Sequence, residues 1–168
     1  MSRFPRKAYT VAEARQRMER YCAYQERCHR EVRQKLRDMQ MIPEAADAIM
    51  VHLIEEGFLN EERFARTFVR GKFRQKKWGK IRLKRELRER GISSYLIDTA
   101  LREEIPEQAY RETFRSLAGK RWDALQGEPA ERRRQKWYTY LQYRGWENDR
   151  IFEMLNRLGE ETGEAGSG

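Results

Sequence analysis

Apolar residues along this chain recur at three- and four-residue steps and almost nowhere alternate at every second position. The first spacing is one face of a helix and the second a half-buried strand, so the pattern predicts helix after helix. Thr10-Val11-Ala12-Glu13 has the form of a capping box, in which hydroxyl and carboxylate each satisfy an unpaired N–H of a helix start. A second helix covers about 28–39. A third begins at Pro43, which suits the first helical position, and carries the stripe Ala45, Ala46, Ile49, Met50, Leu53, Ile54 up to a capping Gly57. Asn60 reads as the N-cap of a fourth, which runs to about 75. Glu61 and Glu62 face its positive end, and Leu59 and Phe64 sit at staple positions. Trp78-Gly79 interrupts, and a fifth helix of about 80–90 closes at Gly91. Ile92-Ser93 opens a sixth, with Ile97 as staple partner. Pro106 opens a seventh with Tyr110, Phe114, Leu117 and Leu125 on or near one face. Gly127-Glu128-Pro129 punctuates, an eighth runs about 130–144 to Gly145, and a ninth about 147–158.

The nine helices fall into threes with a shared register. Leu36, Leu87 and Leu141 align, at spacings of 51 and then 54 residues. Val32, Leu83 and Trp137 lie four residues earlier, and Met41, Ile92 and Trp146 five residues later. Ala46, Ile97 and Ile151 follow, then Met50, Leu101 and Leu155. Gly91 and Gly145 follow the middle helix of the last two units, and Gln40 holds that place in the first. This predicts an all-α fold of three tandem three-helix repeats, 10–58, 59–105 and 106–158, forming an elongated module that can curve. A flexible start, 1–9, and a disordered Gly- and Glu-rich tail, 159–168, flank them.

Charge changes the picture more than length does. The 168 residues are 38% charged, and 19 aromatics supply the anchors that disordered chains lack. Residues 63–90 hold 13 Lys and Arg against Glu86 and Glu89, a net +11 in a chain of net +9. One segment therefore carries the whole basic excess, which points to a polyanion or to a partner coated with one. The absence of an apolar leader or a run of about 18 apolar residues, with only Cys22 and Cys28, leads to the expectation of a cytoplasmic protein.

On the fourth helix Arg63, Arg66, Arg70, Arg74 and Lys77 step by three or four into one stripe, and Lys72 is a further candidate contact outside that stripe. Lys80, Lys84 and Arg88 form a second stripe on the fifth. A solvated face usually mixes signs, and this one barely does. Trp78 reads as the plug of a small core, as a ring that stacks on a base or fills a partner pocket, or as both through different ring edges. Arg132, Arg133, Arg134 and Lys136, interleaved with Trp137, Tyr138, Tyr140 and Tyr143, repeat the theme and suit nucleic acid or a protein interface equally. Cys22, Cys28, His29 and His52 lack the paired spacing of a structural zinc site. With no phosphate-cradling loop and no nucleophile motif, no enzyme, metal or cofactor is expected.

Residues 60–92, NEERFARTFVRGKFRQKKWGKIRLKRELRERGI, resemble the central signature of the RecX family, regulators of the RecA recombinase. The matching pieces are Glu62-Arg63-Phe64-Ala65, Phe68-Val69-Arg70, Lys72, Trp78-Gly79, Arg82, Glu86-Leu87 and Arg90-Gly91-Ile92. The segments QERCHREVRQKL, 25–36, and IEEGFLNEERFA, 54–65, also resemble the family, and Gly145-Trp146 carries the likeness into the third repeat. Met41-Ile42 departs from the family's Gly-containing turn. The resemblance implies three tandem three-helix repeats. It also implies a non-catalytic protein that binds RecA–single-stranded-DNA filaments along their groove; a monomer is expected. There it would restrain strand exchange, ATP hydrolysis and SOS co-protease activity, contacting single-stranded DNA directly or through the filament. The residue reading alone leaves open a general nucleic-acid-binding helical protein not directed at RecA.

Overall fold

A computed structural model describes residues 8–164 of the chain. Among them are nine α-helices and no strand: α1 Val11–Tyr24, α2 His29–Asp38, α3 Pro43–Glu55, α4 Glu61–Lys76, α5 Lys80–Glu89, α6 Ser94–Glu104, α7 Glu107–Ala124, α8 Ala130–Tyr143 and α9 Asn148–Glu164. None of these helices is long and apolar enough to cross a membrane. The helix starts use the expected chemistry. The Thr10 hydroxyl accepts the Glu13 N–H at 3.1 Å, the Asn60 side chain accepts that of Arg63 at 2.9 Å, and the Ser93 hydroxyl accepts that of Leu96 at 3.3 Å. The staple pairs Leu59 and Phe64, and Ile92 and Ile97, are all buried. Helix α9 runs on through Glu164, where a disordered tail was expected from 159. Residues 1–7 and 165–168, the rest of the expected flexible ends, lie outside the described residues.

The repeat register is visible as burial. Val32, Leu83 and Trp137 are buried, as are Leu36, Leu87 and Leu141. The turn after the middle helix is the same in each repeat. Gln40, Gly91 and Gly145 all take positive φ, at 62°, 77° and 90°. The next N–H reaches back to the aligned leucine each time: Met41 to Leu36 at 3.0 Å, Ile92 to Leu87 at 3.1 Å, Trp146 to Leu141 at 3.2 Å. This is the left-handed helix cap that glycine makes without strain. The first repeat keeps the geometry with glutamine, so Met41-Ile42 does not alter it. Gln40→Gly should therefore stabilise the first repeat by about 0.5–1 kcal/mol, since relief of left-handed strain outweighs the extra freedom glycine gives the unfolded chain. Urea unfolding checks this; an unchanged midpoint would mean Gln40 holds its φ without strain.

Among the described residues the chain packs as two compact units, one up to Thr67 with Leu87–Ile97, the other Phe68–Glu86 with the helices from Asp98 onward. In the first, α3 packs on α1 and α2 around Ala14, Met18, Cys22, Val32, Leu36, Ile49, Met50, Leu53 and Leu59. In the second, α8 packs on α7 and α9. Trp122 meets Trp137 edge-on at 5.7 Å, and the fully buried Trp137 donates its indole N–H to the Ala118 carbonyl at 2.8 Å. No polar or charged residue is classed as buried among the described residues. Each core is apolar, and the cations lie outside it.

Candidate functional site

The expected basic residues fall in both units. The first unit holds Arg63, Arg66 and Arg88. Arg63 bonds the Glu26 carboxylate and the carbonyls of Gly57 and Phe58, so it braces the α3–α4 turn. Arg66 lies 4.0 Å from Glu62, one turn back on α4. Arg88 is exposed on α5.

The second unit holds the rest. Arg70 makes a bidentate pair with Glu104, at 2.9 and 3.1 Å, and the carboxylate keeps its guanidinium even more firmly protonated. Arg74 is exposed. Lys77 lies one residue past the end of α4, with φ 56°, so the stripe's last member projects from a turn. Lys80 sits 3.8 Å from Glu107 and 4.5 Å over the Tyr110 ring. Lys84 lines a cavity of about 380 Å³ with Lys80, Leu101, Arg102 and Ile105. In the third repeat Arg133 donates twice to the Trp122 carbonyl, at 2.7 and 3.1 Å, and lies 3.9 Å over that ring. Packing therefore accounts for Arg133, and Lys136 pairs with Glu128. Arg132 and Arg134 are exposed.

Trp78 is half-buried, not the plug of a core; that role falls to Trp137 and Trp146. Its ring lies 6.2 Å from Phe68, 5.3 Å from the Lys72 ammonium and 4.1 Å from the Arg82 guanidinium. Arg82 in turn lies 4.7 Å from the Tyr143 ring and donates to the Tyr143 carbonyl at 3.2 Å.

What holds these groups is a crossing of two turns that carry the same two residues in opposite order, Trp78-Gly79 and Gly145-Trp146. The Gly79 N–H bonds the Arg144 carbonyl at 2.8 Å, and the Ile81 N–H bonds that of Gly145 at 3.1 Å. The Trp146 indole donates to the Lys77 carbonyl at 3.0 Å, and Arg144 to that of Lys76 at 2.6 Å. The unpaired N–H groups at the start of α5 thus meet the unpaired carbonyls after α8, and opposite helix poles meet as well. Tyr110 closes the joint. Its hydroxyl accepts the Lys80 N–H at 3.0 Å and donates to Glu147 at 2.7 Å. Burial, with the Glu147 charge adding to it, holds that phenol protonated far above the usual tyrosine range.

Burial likewise pushes the Cys22 and Cys28 thiols up to about 11, so neither supplies a thiolate at neutral pH. His29 Nδ1 lies 2.9 Å from the Glu61 carboxylate, and His52 Nε2 lies 3.5 Å from that of Glu19. No group of three or more His, Cys, Asp or Glu among the described residues is placed to hold a metal.

With this geometry in hand, comparison with known proteins is specific. Residues 60–101 match the second three-helix domain of RecX, and residues 108–155 the third. A Regulatory protein RecX of Pseudomonas savastanoi pv. phaseolicola is 36% identical over 132 residues, 77% of this chain and 81% of its own. The chain belongs to the RecX family. Another Regulatory protein RecX, of Halorhodospira halophila, is 35% identical and covers 79% of this chain and 80% of its own. A solved regulatory protein RecX superposes with a TM-score of 0.75 at 26% identity, over 88% of this chain and 71% of that one. RecX from Lactobacillus salivarius shares the fold, with a TM-score of 0.75 at 22% identity over 89% and 96% of the two chains. The Trp78-Gly79 turn lies in the RecX second domain and Gly145-Trp146 in the third, so the crossing joins the two matched domains. Arg82 and Tyr143 were absent from the expected contacts. Arg82 stood out only as a piece of the family signature and Tyr143 only as one tyrosine of the basic 131–146 run, and nothing linked the two.

Proposed function

We propose that this chain is a non-catalytic RecA regulator that binds RecA filaments on single-stranded DNA and restrains strand exchange, ATP hydrolysis and SOS co-protease activity. It acts in the cytoplasm as a monomer, through three repeats bounded at 10–58, 59–105 and 106–158. Its membership of a family of regulatory proteins named RecX carries this reading. The charge supports it: residues 70–85 hold nine Lys and Arg and no Asp or Glu. A repeated chain that touches several filament subunits gains avidity without strong single contacts. The contact residues we propose are those of α4, α5 and α8 described above, with Lys72, Arg74 and Lys77 foremost because Arg70 and Arg133 are engaged within the protein.

The direct test is RecA ATPase on single-stranded DNA with this protein added at or below stoichiometry. Inhibition is expected, and an unchanged rate would remove the reading for that recombinase. Changing Lys72, Arg74 and Lys77 together to Glu should weaken filament binding at least about tenfold. If all three meet phosphate, the log–log salt slope should drop by about 2, at roughly 0.7 per single-strand contact. Unchanged binding would place the contact elsewhere. The second reading, a general nucleic-acid-binding protein not directed at RecA, rests on the same +11 segment. It requires tight binding to bare DNA at physiological salt with no effect on RecA.

A further inference from the structure

Five side chains of the second unit form a ladder in which aromatic rings and cations alternate. Lys72 lies 5.7 Å from the Phe68 ring and 5.3 Å from Trp78; Arg82 lies 4.1 Å from Trp78 and 4.7 Å from Tyr143. The far end is open: Tyr143 is 70% exposed. An exposed ring on a helix end would ordinarily swing freely. Here Arg82 bonds the Tyr143 carbonyl and stacks on its ring. The backbone that follows it is pinned as well, by Gly79 on the Arg144 carbonyl and by Gly145 against Arg82. Tyr143 is thus presented on a rigid mount, one face over a guanidinium and most of its surface in solvent.

We propose that Tyr143, backed by Arg82 and Trp78, is a stacking platform for an unpaired base of single-stranded nucleic acid, with Lys72 and the neighbouring cations of residues 70–85 taking the phosphates. For its setting this rests on the reading of the chain as a regulator that works on DNA-loaded filaments. Three observations favour a nucleic acid over a protein partner. An acidic peptide would pair with the open cations of this segment and leave the rings unused, whereas a single strand offers phosphate and base together. The outer ring of the ladder is a platform and not a socket for a protein side chain, because Tyr143 is 70% exposed. Rings interleaved with cations also match what a single strand presents, base faces beside phosphates.

The test uses the full chain without recombinase, and anisotropy of a labelled oligodeoxythymidylate of about 12 nucleotides, within the ~4–16 range of such sites. A second probe is an abasic strand of the same length, which keeps the phosphates and lacks the bases. Tyr143→Leu should weaken binding of the first by about five- to a hundredfold and leave the abasic strand and the salt slope unchanged. Tyr143→Phe should stay within about twofold, since the ring is kept. Equal binding by Tyr143→Leu and the parent, or equal losses on both probes, would overturn the platform. Because no recombinase is present, such a failure would leave the RecA reading to its own ATPase test.

Discussion

Gly145→Ala lowers the stability of the second unit by about 4 kcal/mol or more, well beyond the usual cost of a point change. Two separate costs combine. At φ 90° an alanine pays left-handed strain of about 1–2 kcal/mol. Its Cβ would also collide with the Arg82 backbone nitrogen and stand 2.8 Å from the Arg82 Cα. Those are backbone atoms at the start of α5, and they cannot rotate away. The crossing must open, and the bonds from Gly79 to Arg144 and from Ile81 to Gly145 are lost with it. Other glycines separate the costs. Gly91 has φ 77°, and its nearest neighbours are the end of the Arg30 side chain at 3.5 Å, so Gly91→Ala carries strain alone. At Gly79 an added Cβ would meet the Gly145 carbonyl oxygen, with Trp146 N at 2.7 Å, so Gly79→Ala carries the collision alone. Gly119, inside α7 with nothing near, should instead gain about 0.5–1 kcal/mol as Ala. Denaturant unfolding of the four variants tests the ordering. If Gly145→Ala costs no more than Gly91→Ala, the crossing is loose and the proposed platform loses its mount.

Much of the fold is legible in the spacing of apolar residues because a helix repeats its buried face every three or four positions. The register through Leu36, Leu87 and Leu141 lands on buried residues, and the column at 40, 91 and 145 lands on the positive-φ turn even where glutamine replaces glycine. The site is less legible, for a physical reason. Periodicity tells which side of a helix is covered and nothing about what covers it. Arg70 and Glu104 are 34 residues apart, and Arg82 and Tyr143 are 61 apart. Neither pairing leaves a local trace. Arg133 sits in a run of basic residues that reads as a surface patch, yet it packs on Trp122. The repeated Trp-Gly and Gly-Trp dipeptides are the one sequence feature that marks the crossing. Read as single turns, they place Trp78 in a core; facing each other, they leave it half-buried and give the buried position to Trp146.

Trp146→Ala costs the second unit about 3–5 kcal/mol from the lost ring alone. The side chain is buried, 4.6 Å from the Tyr110 ring and 5.2 Å from Phe114. A smaller residue leaves a cavity under the joint between α5 and the α8–α9 turn. The indole N–H makes a second contribution. It is the partner of the Lys77 carbonyl, whose residue stands at φ 56° between α4 and Trp78. Trp146→Phe keeps most of the ring and removes that donor, so it should cost about 0.5–1.5 kcal/mol, the net contribution of one part-buried hydrogen bond. The ratio of the two losses reports how much of the joint is packing and how much is the single bond to Lys77. Hydrogen exchange gives the spatial readout. In Trp146→Ala the amides of Gly79 and Ile81, which bond across the crossing, should exchange far faster, while those inside α7 should keep most of their protection. Trp146 lies outside the proposed ladder, so a fall in affinity for oligodeoxythymidylate in this variant, with the abasic strand less affected, would come through Tyr143 and Arg82 losing their mount. Unchanged exchange at Gly79 and Ile81 would mean that the backbone bonds hold the crossing without the tryptophan.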